Sequence, residues 1–115
     1  MSRVFGLTGY PLFHSLSKKF FTEKFNNEFL NDCRYENFPL ENLSAITGII
    51  KLNPDLRGLN VTIPYKETVL PFLDELSEEA KLIGAVNCIK ISSGKLKGYN
   101  TDYIGLLRSL KKQLC

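Results

Sequence analysis

The sequence lacks the features that mark several large classes of protein. It contains no apolar run of the roughly 18 residues that a membrane-spanning helix needs, and no secretory signal precedes its first strand-like segment. Its net charge is only +3, and neither a basic stripe nor an aromatic platform motif accompanies that charge. We therefore expect no membrane or nucleic-acid partner and a cytoplasmic location.

Residues that bind metals or nucleotides are also scarce. Cys33, Cys88 and Cys115 are odd in number and lack CxxC spacing, so we expect reduced, mostly buried thiols. His14 is the only histidine, which leaves a zinc site without plausible partners and favours a role as a loop hydrogen-bonder. The chain has no GxGxxG, the fingerprint of dinucleotide binding. Neither a metal site nor a nucleotide site is expected in this chain.

What the sequence does contain is the composition and patterning of one globular domain of 115 residues. Strands are predicted at 4–10, 33–40 and 59–63, and two more form a hairpin whose turn lies at 92–94. Helices are predicted at 17–31, around 43–50, at 77–83 and from 101 onward. Segment 68–76 is ambiguous because Pro71 interrupts it. This alternation predicts an α/β fold, a three-layer α/β/α sandwich with a mainly parallel sheet and one antiparallel strand from the hairpin.

Polar side chains cluster where the predicted strands end. In such sheets, ligands bind outside the carboxyl ends of the parallel strands, and the hairpin brings Asn87 opposite Asn100. The residues predicted to share this edge are Ser15, Ser17, Asn60, Thr62, Lys66, Asn87, Thr101 and Asp102. Hydroxyls and amides both donate and accept hydrogen bonds, and a helix start favours an anion, so the set suits a small polyhydroxy carboxylate.

Each of these residues also has a simpler structural explanation. Ser17 and Thr101 are typical helix caps, and a single asparagine near a strand end commonly satisfies loop backbone. Lys66 and Asp102 could form an exposed ion pair, which is worth roughly 0–1 kcal/mol. Taken singly, the structural explanations are favoured. The predicted convergence of all eight on one edge favours a binding site, in which Lys66 and Asp102 are the pair suited to proton transfer.

Four segments of the chain resemble, in order and spacing, the motifs of the shikimate dehydrogenase family. They are "GYPLFHSLS", "GLNVTIPYK", "IGAVNC" and "GYNTDYIGLL", and the resemblance runs from about Gly6 to Leu110. It implies NADP-linked interconversion of 3-dehydroshikimate and shikimate, a step of aromatic amino-acid biosynthesis. It covers only the amino-terminal substrate-binding half of such an enzyme, so residues 1–115 are expected to be that domain. The NADP-binding Rossmann domain is expected to be absent, and the chain alone inactive.

The resemblance also implies roles for the matching residues. Ser15 and Ser17 would hold the substrate carboxylate, while the ring hydroxyls would contact Asn60, Thr62, Asn87 and Asp102. Lys66 and Asp102 would form the catalytic pair, with Lys66 carrying the proton and Asp102 orienting substrate and lysine. Two positions depart from the family pattern: Lys18 stands where proline is usual, and Cys88 stands where threonine is common.

Other functions remain open from the sequence alone. A relative acting on quinate would use the same motifs, and the serine region would govern that preference. A hydroxy-acid binding module without chemistry is a further alternative, although it has no need to keep both Lys66 and Asp102. An unrelated flavodoxin-like domain would require four coincidental motif matches. The sequence leaves the oligomeric state open, with a homo-oligomer as one option.

Overall fold

The structure of the protein, a computed structural model, contains one six-stranded sheet. It describes residues 2–12 and 16–102, with the backbone alone for Leu16 and Ser17. The strands are β1 (Arg3–Gly9), β2 (Cys33–Pro39), β3 (Leu56–Val61), β4 (Glu75–Leu76), β5 (Cys88–Ser92) and β6 (Lys95–Tyr99). Their order across the sheet is β2-β1-β3-β5-β6-β4. Among the described strands, β5 alone runs antiparallel to its neighbours, which confirms the predicted sheet with one reversed hairpin strand.

Three α-helices connect these strands: α1 (Leu16–Asn27), α2 (Ile46–Leu52) and α3 (Glu78–Ile83). Helix α3 begins and ends at the residues the sequence predicts. The Ser77 side chain accepts a hydrogen bond from the Ala80 N–H, and Gly84 ends the helix in the left-handed conformation at φ 74°. The helix predicted from position 101 begins there, with Thr101 and Asp102 helical, and its remainder lies outside the described residues.

The bounds of two predicted elements were wrong, and the segment predicted as ambiguous has a structure of its own. Helix α1 ends at Asn27 instead of position 31, because Phe29 adopts a positive φ of 57° with its ring exposed. Strand β3 starts at Leu56 and stops at Val61, since the chain turns at Thr62, whose carbonyl accepts a hydrogen bond from the Tyr65 N–H. The ambiguous segment contains a 3-10 turn at Leu70–Phe72 followed by β4, a two-residue strand that the pattern did not predict.

The two faces of the sheet are packed differently, and helices cover both. One face, here the core face, packs aliphatic side chains of the strands against residues of α2 and α3; its strand residues include Val4, Leu59, Ile89, Leu96 and Gly98. The other, the aromatic face, lies against α1; its strand residues include Phe5, Tyr35, Gly58, Asn60 and Cys88. This arrangement confirms the predicted three-layer sandwich.

Candidate active site

The three segments that carry the predicted polar residues meet at one edge of the sheet through backbone hydrogen bonds. The Val61 N–H donates to the Asn87 carbonyl at 2.8 Å, and the Asn87 N–H donates to the Tyr99 carbonyl at 3.0 Å. The Val86 N–H donates to the Lys66 carbonyl at 2.7 Å. The exit of β3, the entry of β5 and the exit of β6 are therefore held side by side, as the predicted hairpin register requires.

Lys66 and Asp102 meet at this edge. The Lys66 Nζ lies 3.6 Å from the Asp102 Oδ2, although the two residues are 36 positions apart in sequence. The side chains are 41% and 71% exposed, so the ion pair contributes about 0–1 kcal/mol to stability. An ammonium and a carboxylate in contact and open to solvent can meet a ligand hydroxyl and exchange a proton with it.

The loop that carries Lys66 is anchored on both sides. Tyr65 is buried, and its hydroxyl donates a hydrogen bond to the carbonyl of Leu40. Val69 is also fully buried, and its N–H donates to the Tyr65 carbonyl at 3.0 Å. The ammonium of Lys66 thus extends from a segment whose neighbours are packed into the core.

Asn87 holds Asp102 in place through its neighbour Thr101. The Asn87 Oδ1 accepts from the Thr101 N–H at 3.0 Å, and the Asn87 Nδ2 donates to the Thr101 Oγ1 at 2.9 Å. These two bonds fix the first turn after β6, where Asp102 lies. An amide has four hydrogen-bonding positions, so Asn87 keeps one N–H and one lone pair for a ligand. The sequence pointed to this pairing only through the hairpin register, which placed Asn87 opposite Asn100.

Asn60 lies on the aromatic face and has a partner that the sequence did not reveal. Its Nδ2 donates to the Tyr35 hydroxyl at 2.9 Å. The two residues line a cavity of about 320 Å³ between α1 and the sheet. The cavity is otherwise mostly apolar, and its remaining lining residues are Phe5, Gly6, Phe21, Phe25, Gly58, Leu59 and Cys88.

Thr62 follows directly after β3 and brings that strand against the exit of β1. Its N–H donates to the Thr8 carbonyl at 3.0 Å. A Cβ on Gly9 would lie 2.5 Å from the Thr62 Cγ2 and 2.8 Å from the Ile63 carbonyl oxygen, so only glycine fits there. The segment leaving β1, which leads toward Ser15, therefore starts beside Thr62.

The predicted anion-binding serines are not tested by this structure. His14 and Ser15 lie outside the described residues, as does the side chain of Ser17. Lys18, which stands at the position where the resemblance leads us to expect proline, places its ammonium 3.4 Å from the Glu36 carboxylate on β2. That contact gives Lys18 a role in joining α1 to the edge strand.

The cysteines of the described segments are free thiols. Burial raises the pKa of Cys88, which lies half-buried in the cavity beside Asn60, and burial likewise raises the pKa of Cys33. Within residues 2–12 and 16–102, no group of three or more potential ligands could hold a metal ion. In the same stretches, no helix is both long and apolar enough to cross a membrane.

Comparison with known proteins shows which family the chain resembles. Residues 7–89 match the family model described as the shikimate dehydrogenase substrate binding domain. The chain is 48% identical to the shikimate dehydrogenase (NADP(+)) of Carboxydothermus hydrogenoformans over 117 aligned positions, which cover 96% of this chain and 40% of that protein. The chain therefore spans about 40% of the length of such relatives.

Two solved structures show the similarity in three dimensions. The shikimate 5-dehydrogenase of Thermus thermophilus, in complex with NADP(H) and shikimate, is 37% identical with a TM-score of 0.80, covering 96% of this chain and 42% of that one. The ligand-free 5-ketofructose reductase of Gluconobacter sp. strain CHM43 is 35% identical with a TM-score of 0.83, covering 97% of this chain and 40% of that one.

Proposed function

Because the chain belongs to the shikimate dehydrogenase substrate-binding domain family, we propose that it supplies the substrate site and the proton-transfer pair of an NADP-dependent shikimate dehydrogenase. The reaction would interconvert 3-dehydroshikimate and shikimate in aromatic amino-acid biosynthesis, in the cytoplasm. The observation that carries the proposal is the contact of Lys66 with Asp102 at 3.6 Å, at the edge where Asn60, Thr62 and Asn87 also lie.

Each polar residue at the edge has a proposed part in binding. Ser15 and Ser17 would hold the carboxylate of the substrate, and the amides of Asn60 and Asn87 and the hydroxyl of Thr62 would contact its ring oxygens. Asp102 would accept a hydrogen bond from a ring hydroxyl and orient Lys66. The ammonium of Lys66 would donate its proton to the substrate oxygen during reduction and recover it during oxidation.

The residues of this chain do not fit a dinucleotide site. Its sequence has no GxGxxG, and the described turn after β1 runs into Tyr10 and Pro11 with no glycine-rich phosphate loop. We propose that the NADP cofactor, which gives hydride in its reduced form and accepts it in its oxidised form, is bound mainly by a separate domain corresponding to the part of the relatives that this chain does not match. The chain alone should therefore show no NADP-dependent turnover.

Titration of the ¹⁵N-labelled chain with shikimate, followed by NMR, tests the proposed site. We expect weak, saturable shifts around Asn60, Lys66, Asn87 and Asp102, because under this proposal residues 1–115 supply only part of the binding contacts and ordering costs remain. Lys66→Met should weaken binding about tenfold or more, since a buried ligand hydroxyl loses its charged partner. Lys90→Met, which removes an exposed lysine from β5, is the matched control and should leave binding unchanged.

If the chain is folded but its spectrum does not change with shikimate, there are two explanations. Either contacts from another domain are needed for binding, or the proposed function is wrong. A second measurement separates them. Joining the chain to the remaining part of the Carboxydothermus relative should restore NADP-dependent oxidation of shikimate if this half carries the site. A folded chimera without that activity would contradict the proposal. The same chimera with Lys66→Met should lose turnover, and with Lys90→Met it should keep it.

A second candidate function is reduction of a different polyhydroxy ketone. It is favoured by the similarity to 5-ketofructose reductase, a protein whose name specifies a keto sugar, which carries no carboxylate. Quinate, which carries one more hydroxyl than shikimate, is the other comparator. Larger NMR shifts with 5-ketofructose or with quinate than with shikimate would show that the proposed substrate should be replaced by that compound. Binding without turnover in the chimera would instead favour a hydroxy-acid binding module.

A further inference from the structure

Tyr35 is buried and contacts both Asn60 on β3 and Phe21 on α1. It lies on β2, two strands away from β3, and its side chain is only 2% exposed. Its hydroxyl accepts a hydrogen bond from the Asn60 Nδ2 at 2.9 Å. Its ring stacks on Phe21 of α1, with centroids 4.8 Å apart and planes inclined by 17°.

These contacts restrict the amide of Asn60 in a specific way. A tyrosine hydroxyl can donate or accept a hydrogen bond, so the bond to Tyr35 fixes where one end of the Asn60 amide lies and leaves the other end to face a ligand. With Nδ2 bonded to Tyr35, Asn60 keeps its Oδ1 and one N–H for other partners. Because a buried tyrosine stacked on a helix has little freedom to move, its hydroxyl can serve as a fixed reference for that amide.

We propose that Tyr35 is a positioning residue, which orients the Asn60 amide toward a substrate hydroxyl and links that amide to α1. This inference rests on the proposed function, because it assigns to Asn60 a hydroxyl of the same substrate. The stack of Tyr35 on Phe21 ties α1 to the proposed hydroxyl-binding residue Asn60. Tyr35 acts through Asn60 and does not itself need to touch the ligand.

Tyr35→Phe tests the inference because it removes the hydroxyl and keeps the stacked ring. In the free protein, the side-chain NH₂ signals of Asn60 should move toward the values of an unbonded amide, and their protons should exchange faster with solvent. Affinity for shikimate should fall about three- to tenfold, the loss expected for one neutral hydrogen bond. Thr22→Val, which removes an exposed hydroxyl from α1, is the control and should change neither readout.

The two readouts separate the failure of this inference from failure of the proposed function. If the Asn60 NH₂ signals are the same in Tyr35→Phe and the unmodified chain, Tyr35 does not orient the amide and the inference is overturned. If they move while shikimate affinity stays the same, the positioning role is overturned although the bond exists. If shikimate does not shift the spectrum of the unmodified chain, the comparison is made in the chimera with the Carboxydothermus relative. There, a KM for shikimate that is unchanged by Tyr35→Phe would overturn the inference.

Discussion

The two faces of the sheet contrast sharply in chemistry. On the core face, Leu59, Ile89 and Leu96 are buried aliphatic residues that join one continuous cluster with the helices behind them. On the aromatic face, the corresponding layer holds rings, amides and a thiol around a cavity of about 320 Å³. Adjacent residues of the same strand illustrate the difference: Ile89 is fully buried in the cluster, while Cys88 lines the cavity next to Asn60.

Under the proposed function, this contrast divides stability and ligand recognition between the two faces. Close-packed aliphatic layers supply most of the free energy of folding, and they tolerate few changes in volume. A layer with a cavity and amides is less well packed, but its polar groups can be directed to the edge where Lys66 and Asp102 meet. This division predicts that equivalent substitutions on the two faces lower the free energy of unfolding by different amounts.

The largest effect is expected from Ile89→Ala on the core face. Removal of a fully buried isoleucine side chain from a close-packed cluster should lower the free energy of unfolding by about 3 kcal/mol. Cys88→Ala, one residue earlier on the aromatic face, should cost about 1 kcal/mol or less because a smaller group is lost beside an existing cavity. Urea denaturation of both variants measures the difference, and equal losses would contradict the division between the faces.

A smaller loss of stability is expected when a methyl group is added to the core face, because the added group crowds its neighbours instead of leaving a cavity. A Cβ at Gly98, on the core face, would lie 2.6 Å from the Leu73 Cδ1 and 2.7 Å from the Val86 Cγ2. Gly98→Ala should therefore destabilise the protein by about 1–3 kcal/mol through overpacking.

Gly58→Ala is the matched variant on the aromatic face. Its nearest neighbours would be the Ile89 carbonyl oxygen and the Phe5 Cδ1, both at 3.4 Å, which is an ordinary contact. We expect a change within about 1 kcal/mol, since the better strand propensity of alanine offsets slight crowding. Thermal unfolding of the pair measures both values. A Gly58→Ala variant that is destabilised as much as Gly98→Ala would show that the aromatic face is packed just as tightly.

The hairpin and its consequences were predictable from the sequence because they depend on local rules. The turn at Ser93 and Gly94 has φ values of 51° and 77°, as a two-residue hairpin turn requires. Once the turn is fixed, the period of two sets the register, and the segments of Asn87 and Thr101 must meet. The contact of Lys66 with Asp102 followed from the same register together with the rule that parallel strands end at one edge.

The features that the sequence did not reveal depend on long-range packing. The partner of Asn60 is Tyr35, which becomes its neighbour only because β2 lies beside β1 and α1 closes over that face. Strand β4 has two residues, too few for any periodicity, and exists through its pairing with β6. The early end of α1 reflects the backbone of Phe29, although the phenylalanine spacing continues through it. Propensity and periodicity carry no information on these contacts.

The smallest effect expected is a pH dependence that belongs to the aromatic face alone. Burial raises the pKa of Cys88, so the folded state retains a proton that the unfolded state loses above pH ~8.5. Stability should therefore fall as pH rises from there toward the folded pKa, by at most about 1.4 kcal/mol per pH unit, and by less because Cys88 is only half-buried. In a Cys33→Ala, Cys115→Ala background, we expect urea denaturation at pH 8, 9 and 10 to show this decline. The decline should disappear when Cys88→Ala is added, and its persistence there would mean that another group causes it.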